Sequence, residues 1–199
     1  MSEPVTASVS APVSALGGFR ADGLARIEEG PLQGMIALKG DLADAKLRNA
    51  ATGVTGIDLP GELEGTIEGD RGLAWMAPDE LLLFLPYAEV PRTIETLGRA
   101  LKARHATVAD MSDARAVFRL YGTGGREVLA RLTPADMAPG AFRPGGFRRT
   151  RLAQVPAAIW CESNDRFGVI CFRSVAVYVR DLLAAATAAP SADYFGRGG

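Results

Sequence analysis

Gly72-Leu-Ala-Trp75-Met-Ala-Pro78-Asp79-Glu80-Leu-Leu-Leu-Phe84-Leu-Pro86 is the stretch that decides the fold. Two runs of β-compatible residues flank a Pro-Asp turn and are bounded by Gly and Pro, the pattern of a hairpin. The second run, Leu81 to Leu85, is apolar at every position, which predicts a strand buried on both faces. Residues 157–174 (Ala-Ala-Ile-Trp160-Cys-Glu-Ser-Asn-Asp-Arg-Phe167-Gly-Val-Ile-Cys-Phe172-Arg-Ser174) follow the same grammar. A strand carries a Trp, a polar turn follows, then an apolar strand, then a helix. Trp75 is read as a packing residue, with Trp160 as its echo.

Outward from this hairpin, Gly34 to Lys39 reads as a strand. Asp41 is placed to cap a helix over Leu42 to Ala51, which Gly53 ends. A short strand is expected around Glu64 to Glu68. The helix predicted over 91–104 starts at Pro91 and carries Ile94, Leu97 and Leu101 as its apolar stripe. His105 to Asp110 and Ala114 to Tyr121 read as strands, and Gly122 turns into a helix reaching Arg131. Residues 139–149 read as loop and 150–155 as strand. Ser174 is placed to cap a helix to about Ala188, with Val175, Val179, Leu182 and Leu183 on one face.

Three landmarks recur at nearly equal spacing: Gly40 and Gly122 are 82 apart, Trp75 and Trp160 are 85 apart, and the helix starts at Pro91 and Val175 are 84 apart. The spacing predicts an α+β fold built from two pseudo-repeated β-α-β-β-β-α halves, about 30–104 and 105–188, each covering the other's sheet. Residues 1–29 are read as an N-terminal arm, in which Val5, Val9 and Val13 recur between and beside Pro4 and Pro12. Residues 189–199 are read as a C-terminal tail.

The 199 residues are 48% hydrophobic, enough for a sizeable core, and 22 basic against 23 acidic residues argue against a nucleic-acid partner. No apolar run is long enough for a membrane-spanning helix, and Met1 to Ala15 lacks the charged and apolar regions of a signal peptide. A cytoplasmic location is therefore expected. Two cysteines and one histidine are too few for a disulfide framework or a Cys/His zinc site.

Each candidate for chemistry has a plainer explanation. Gly122-Thr-Gly-Gly-Arg-Glu127 follows a strand and opens a helix, but Glu127 stands where a dinucleotide fingerprint needs its third glycine. A tight backbone approach accounts for those glycines. His105 follows a helix end with no nucleophile in view. Cys161 and Cys171 read as small buried hydrophobes. Glu62, Glu64, Glu68 and Asp70 read as a solvated face. Phe142, Arg143, Phe147, Arg148, Arg149 and Arg151 form the densest basic-aromatic patch, the composition of a protein interface.

Several segments together carry a family resemblance. They are Met35-Ile-Ala-Leu-Lys-Gly-Asp-Leu-Ala-Asp44, the opening hairpin, Asp110-Met-Ser-Asp-Ala-Arg-Ala-Val-Phe-Arg119, Gly124-Gly-Arg-Glu-Val-Leu129 and Phe172-Arg-Ser-Val-Ala-Val-Tyr178. Over about residues 30–188 the chain resembles the gamma subunit of heterotetrameric sarcosine oxidase, and more distantly the aminomethyltransferase fold of the glycine cleavage T-protein. The resemblance implies a non-catalytic structural subunit binding alpha, beta and delta subunits, chiefly alpha. The complex would oxidatively demethylate sarcosine to glycine and hydrogen peroxide, with formaldehyde or methylenetetrahydrofolate. It further implies that FAD, FMN, NAD, zinc and tetrahydrofolate belong to the parent complex, with no cofactor, metal or catalytic residue in this chain. A stand-alone folate-binding protein of the aminomethyltransferase type is the alternative, and a scaffold for an unrelated dehydrogenase a third.

Overall fold

A strand that is apolar at every position needs cover on both faces. The computed structural model, which describes residues 11–195, supplies a layer of helices on one side and a second sheet on the other. In chain order the elements are β1 (Arg20–Ala21), β2 (Arg26–Glu29), β3 (Gln33–Lys39), α1 (Ala45–Thr55), β4 (Gly65–Glu68), β5 (Arg71–Ala77), β6 (Glu80–Pro86) and α2 (Val90–Leu101). There follow β7 (Thr107–Asp110), β8 (Arg115–Tyr121), α3 (Gly125–Ala130), β9 (Phe147–Leu152), β10 (Val155–Ser163), β11 (Arg166–Phe172) and α4 (Ala176–Ala188). They form two antiparallel sheets, ordered β4-β5-β6-β3-β7 and β1-β2-β8-β11-β10-β9.

Alternation along β6 assigns the layers. Leu81, Leu83 and Leu85 pack with Ile36, Leu38 and Leu73 under α1 and α2, through Leu47, Ala51, Val90, Leu97 and Leu101. Leu82 and Phe84 point the other way and join Met35, Ala74 and Met76 against Val117, Phe147, Ala158, Trp160 and Ile170 of the second sheet. The far side of that sheet, including Phe118, Leu120, Ile159 and Val169, lies under α3 and α4 through Val128, Leu129, Val179 and Leu183. The result is four layers, α/β/β/α. Residues Leu81 to Leu85 are each at most 1% exposed, as the apolar run predicts. Each such side chain contributes about 1.5–3 kcal/mol relative to exposure.

The connectivity ties the sheets together. β2 precedes β3 in the chain yet pairs with β8, while β7 precedes β8 yet pairs with β3. Corresponding hydrogen bonds close the two joins: Gly30 N donates to Val117 O and Met111 N to Met35 O, both at 2.8 Å. Residues 20–29, expected in an arm, therefore supply two strands of the six-stranded sheet, and Ile27 is fully buried. The expectations for Pro4, Val5 and Val9, and for the part of the tail beyond residue 195, concern positions outside the described residues.

Several boundaries move for local reasons. Asp44, not Asp41, caps α1 by accepting from Lys46 N at 2.9 Å; Asp41 instead accepts from Ala43 N in the preceding turn. Gly53 lies inside α1, and Gly56 ends it at φ 72°, a left-handed conformation that suits glycine. Ser174 makes no cap hydrogen bond, because a 3-10 turn over Arg173–Val175 precedes α4. β9 begins at Phe147, inside the expected loop, since the Phe147 ring is drawn between the sheets.

Register corrects the pairing of the two tryptophans. Trp75 lies opposite Leu81, and Trp160 lies opposite Gly168. Both hairpins have a register shift at corresponding places, between Trp75 and Ala77 and between Cys161 and Ser163, so Trp75 corresponds to Cys161 and Trp160 to Ala74. A one-residue slip reverses the face. Trp160 is therefore 1% exposed between the sheets, 5.8 Å from the Phe84 ring, while Trp75 is half-buried on the face opposite Ala74 and Met76.

The Trp160 indole lies over Gly168, where an added Cβ would sit 1.9 Å from the ring. Trp160→Ala is expected to lower stability by about 3–5 kcal/mol, and Trp75→Ala by less. Gly168→Ala should destabilise by displacing the indole. Urea midpoints of the three variants check this, and equal losses at the two tryptophans would contradict the layer assignment.

The C-terminal tail is held by one carboxylate. Glu127 accepts from Ala192 N at 2.6 Å, the Ser191 hydroxyl at 2.8 Å and Arg131 at 2.5 Å, while Arg131 also donates to Ala186 O. The Ala192 N–H foremost, then Ser191 and Arg131, hold the Glu127 carboxyl below its ordinary value against the opposing effect of burial. A lowered folded-state value stabilises above the ordinary Glu pKa of about 4.3 and is lost as the pH falls below it. Glu127→Gln should thus reduce the urea midpoint near pH 7, and the gap to the unmutated chain should narrow towards about pH 3.

Candidate functional site

β9 is an edge strand, and its sequence, Phe147-Arg-Arg-Thr-Arg-Leu152, sorts by alternation. Phe147, Arg149 and Arg151 share the face towards the other sheet, and Arg148 and Leu152 the face towards the helices. The six residues expected to form one surface patch consequently separate. Phe142 and Phe147 are fully buried and are core residues rather than surface anchors. Phe142 stacks on Phe167 at 6.5 Å and is covered by the Arg148 guanidinium at 5.4 Å. Arg148 donates to the Leu63, Phe147 and Ala141 carbonyls, which fastens the loop before β4 to β9. Arg143 donates to Gly140 O within its own turn and is exposed. Arg149 and Arg151 are exposed; Arg149 lies 3.8 Å from Glu80 of the other sheet.

Buried Arg126, at the start of α3, sets the loop that carries this patch. Its Nη1 donates to Met137 O at 2.6 Å and Phe142 O at 2.9 Å, and its guanidinium lies 5.1 Å from the Phe167 ring. The glycines ahead of it serve packing at Gly124 and the turn at Gly122. A Cβ on Gly124 would meet Leu24 O at 2.2 Å, and Gly122 adopts φ 107°.

The other candidates settle in the same manner. His105 is exposed in the turn between α2 and β7. Cys161 and Cys171 are buried and unbridged; burial raises both thiols, Cys171 to about 12, which suppresses the thiolate needed for nucleophilic chemistry. Glu62, Glu64, Glu68 and Asp70 are exposed. Among the described residues no group of three or more His, Cys, Asp or Glu converges as metal ligands. No described helix is long and apolar enough to cross a membrane.

What the sequence reading missed is a cleft of about 70 Å³ at the open edge between the sheets. Met76, Ala158 and Ile170 line its interior, Pro156 and Phe172 its rim, and Glu80, Arg115 and Arg149 bring charge to it. The signal available in sequence was Arg115 and Arg119 alternating with Ala116, Phe118 and Leu120, which places two guanidiniums on the inter-sheet face. Arg119 pairs with Glu162 and lies 4.8 Å from the Trp160 ring, whose Nε1 donates to the same carboxylate. Arg115 packs against the Phe172 ring at 5.6 Å.

A family model described as the sarcosine oxidase, gamma subunit family matches residues 39–189. The sarcosine oxidase subunit gamma of Corynebacterium sp. (strain U-96) is 34% identical over 140 residues, covering 69% of this chain and 65% of that protein. Its counterpart from Arthrobacter sp is 35% identical over 140 residues, covering 69% and 66%. The chain thus spans just under two thirds of the length of these relatives. Among solved structures, a heterotetrameric sarcosine oxidase from Corynebacterium sp. U-96 superposes with a TM-score of 0.75 at 24% identity, covering 86% of this chain and 90% of that one. The glycine cleavage system aminomethyltransferase T from Bartonella henselae gives a TM-score of 0.58 at 15% identity, covering 78% and 44%. These two structures establish a shared fold. With the family model running through both sheets and relatives above 30% identity, the chain belongs to the sarcosine oxidase gamma subunit family.

Proposed function

We propose that the chain is a non-catalytic structural and assembly subunit of a heterotetrameric sarcosine oxidase. The family match over residues 39–189 carries this reading. It is supported by the disposition of the reactive side chains: the thiols are buried and raised, and Arg126, Glu127 and Arg148 bond to the chain's own backbone. Within this reading the assembled enzyme oxidatively demethylates sarcosine to glycine and hydrogen peroxide, with formaldehyde or methylenetetrahydrofolate. FAD, FMN, NAD, zinc and tetrahydrofolate are handled by partner chains, and the complex is cytoplasmic. The partners are alpha, beta and delta subunits, chiefly alpha, with exposed Arg143, Arg149 and Arg151 as contact candidates.

The same reading includes two pseudo-repeated β-α-β-β-β-α halves, about 30–104 and 105–188. Supporting it, β4-β5-β6-β3 and β9-β10-β11-β8 have the same order, and their hairpins share a register shift at corresponding positions. The β-α-β-β-β-α unit of each half, starting at β3 or β8, is then preceded by a strand that pairs in the other sheet, β2 or β7.

Co-expression of the other three subunits with and without this chain tests the assembly role. Without it, the complex is expected to fall short of full assembly and to lose sarcosine oxidation. Full assembly and activity in its absence would overturn the proposal.

A further inference from the structure

The cleft between the sheets has an unmet electrostatic need. Arg115 on β8 and Arg149 on β9 face the same layer, separated across the sheet by β11 and β10. Among the described residues, Glu80 alone brings negative charge to the cleft lining, so two guanidiniums face one carboxylate. Glu80 lies 3.8 Å from Arg149, too far for a hydrogen bond. Among the described residues, Arg115 Nε is the one buried side-chain nitrogen or oxygen without a hydrogen-bond partner. Buried guanidinium donors are ordinarily satisfied, and a carboxylate matches their fork. Burial also disfavours the Arg115 charge while Glu80 favours it and Arg149 opposes it, so a second anion would relieve the site.

Size and lining select the form of that anion. The space of about 70 Å³ is far below the roughly 300–1,000 Å³ of a cofactor or drug-sized ligand site. Small Ala158 leaves the room, and Met76, Ile170 and Phe172 provide apolar walls suited to methylene groups. We infer that this cleft docks a protruding Asp or Glu side chain of a partner polypeptide, its carboxylate held by Arg115 and Arg149 and its stem against Phe172 and Ile170. The inference rests on the proposed assembly role and gives that role a specific contact.

The experiment uses the four co-expressed subunits, with this chain either unmutated or carrying Arg149→Glu, Arg149→Lys or Arg115→Lys. Arg149 is 61% exposed, and its loose pair with Glu80 contributes little to folding, so the Arg149 variants keep the fold. With the unmutated chain assembling, Arg149→Glu should weaken its association by about tenfold or more at 0.15 M salt, and Arg149→Lys by much less. Arg115→Lys keeps the charge but loses Nε, and should weaken association while leaving circular dichroism unchanged. Unmutated assembly with undiminished association of Arg149→Glu overturns the docking cleft and leaves the assembly role standing. Failure of the unmutated chain to assemble overturns both.

Discussion

The structure depends on burying one strand from both sides. Leu81, Leu83 and Leu85 require helices, and Leu82 and Phe84 require a second apolar surface. No single sheet with helices on one face satisfies both sets. The six-stranded sheet supplies the missing surface and incurs the same requirement for its own outer face, which α3 and α4 meet. The four-layer order meets a requirement that a five-residue run and the period of two along a strand set, burial on both faces.

Sheet-on-sheet packing alone could come apart as two units, but the strand exchange prevents it. β2 and β7 each leave their chain neighbour's sheet for the other one, and Gly30 and Met111 anchor the crossings to Val117 and Met35. Separating the sheets would break these ladders as well as the Phe84–Trp160 contact. Unfolding is therefore expected to involve both sheets together, as in a cooperative single domain.

How much of this the sequence displayed varies with the physics of each element. The buried strand and the stripes of α2 and α4 were legible because composition and period alone define them. β1 and β2 were not, since Arg20–Ala21 and Arg26–Glu29 are short and mostly polar, and their pairing comes from distant β8. The tryptophans were legible as hairpin landmarks but not as to face, because spacing of 85 rather than 86 residues reverses the side chain. Phe142 and Phe147 were read outward because arginines surround them. An aromatic capped by a guanidinium has the same local sequence whether it lies in a core, like Phe142 under Arg148, or in an interface.

Arg148 and Arg149 show where scaffold ends and exposed chemistry begins. They are consecutive, yet alternation sends one side chain to three carbonyls that hold a loop and the other to the rim of a cleft. Arg148 directs its donors to carbonyls of its own chain. Arg149 retains its donors, and Arg115 retains an unmatched one despite burial. Among the described residues the other buried side-chain donors and acceptors are satisfied, and Arg115 and Arg149 both line one small cleft in which Glu80 is the opposing charge.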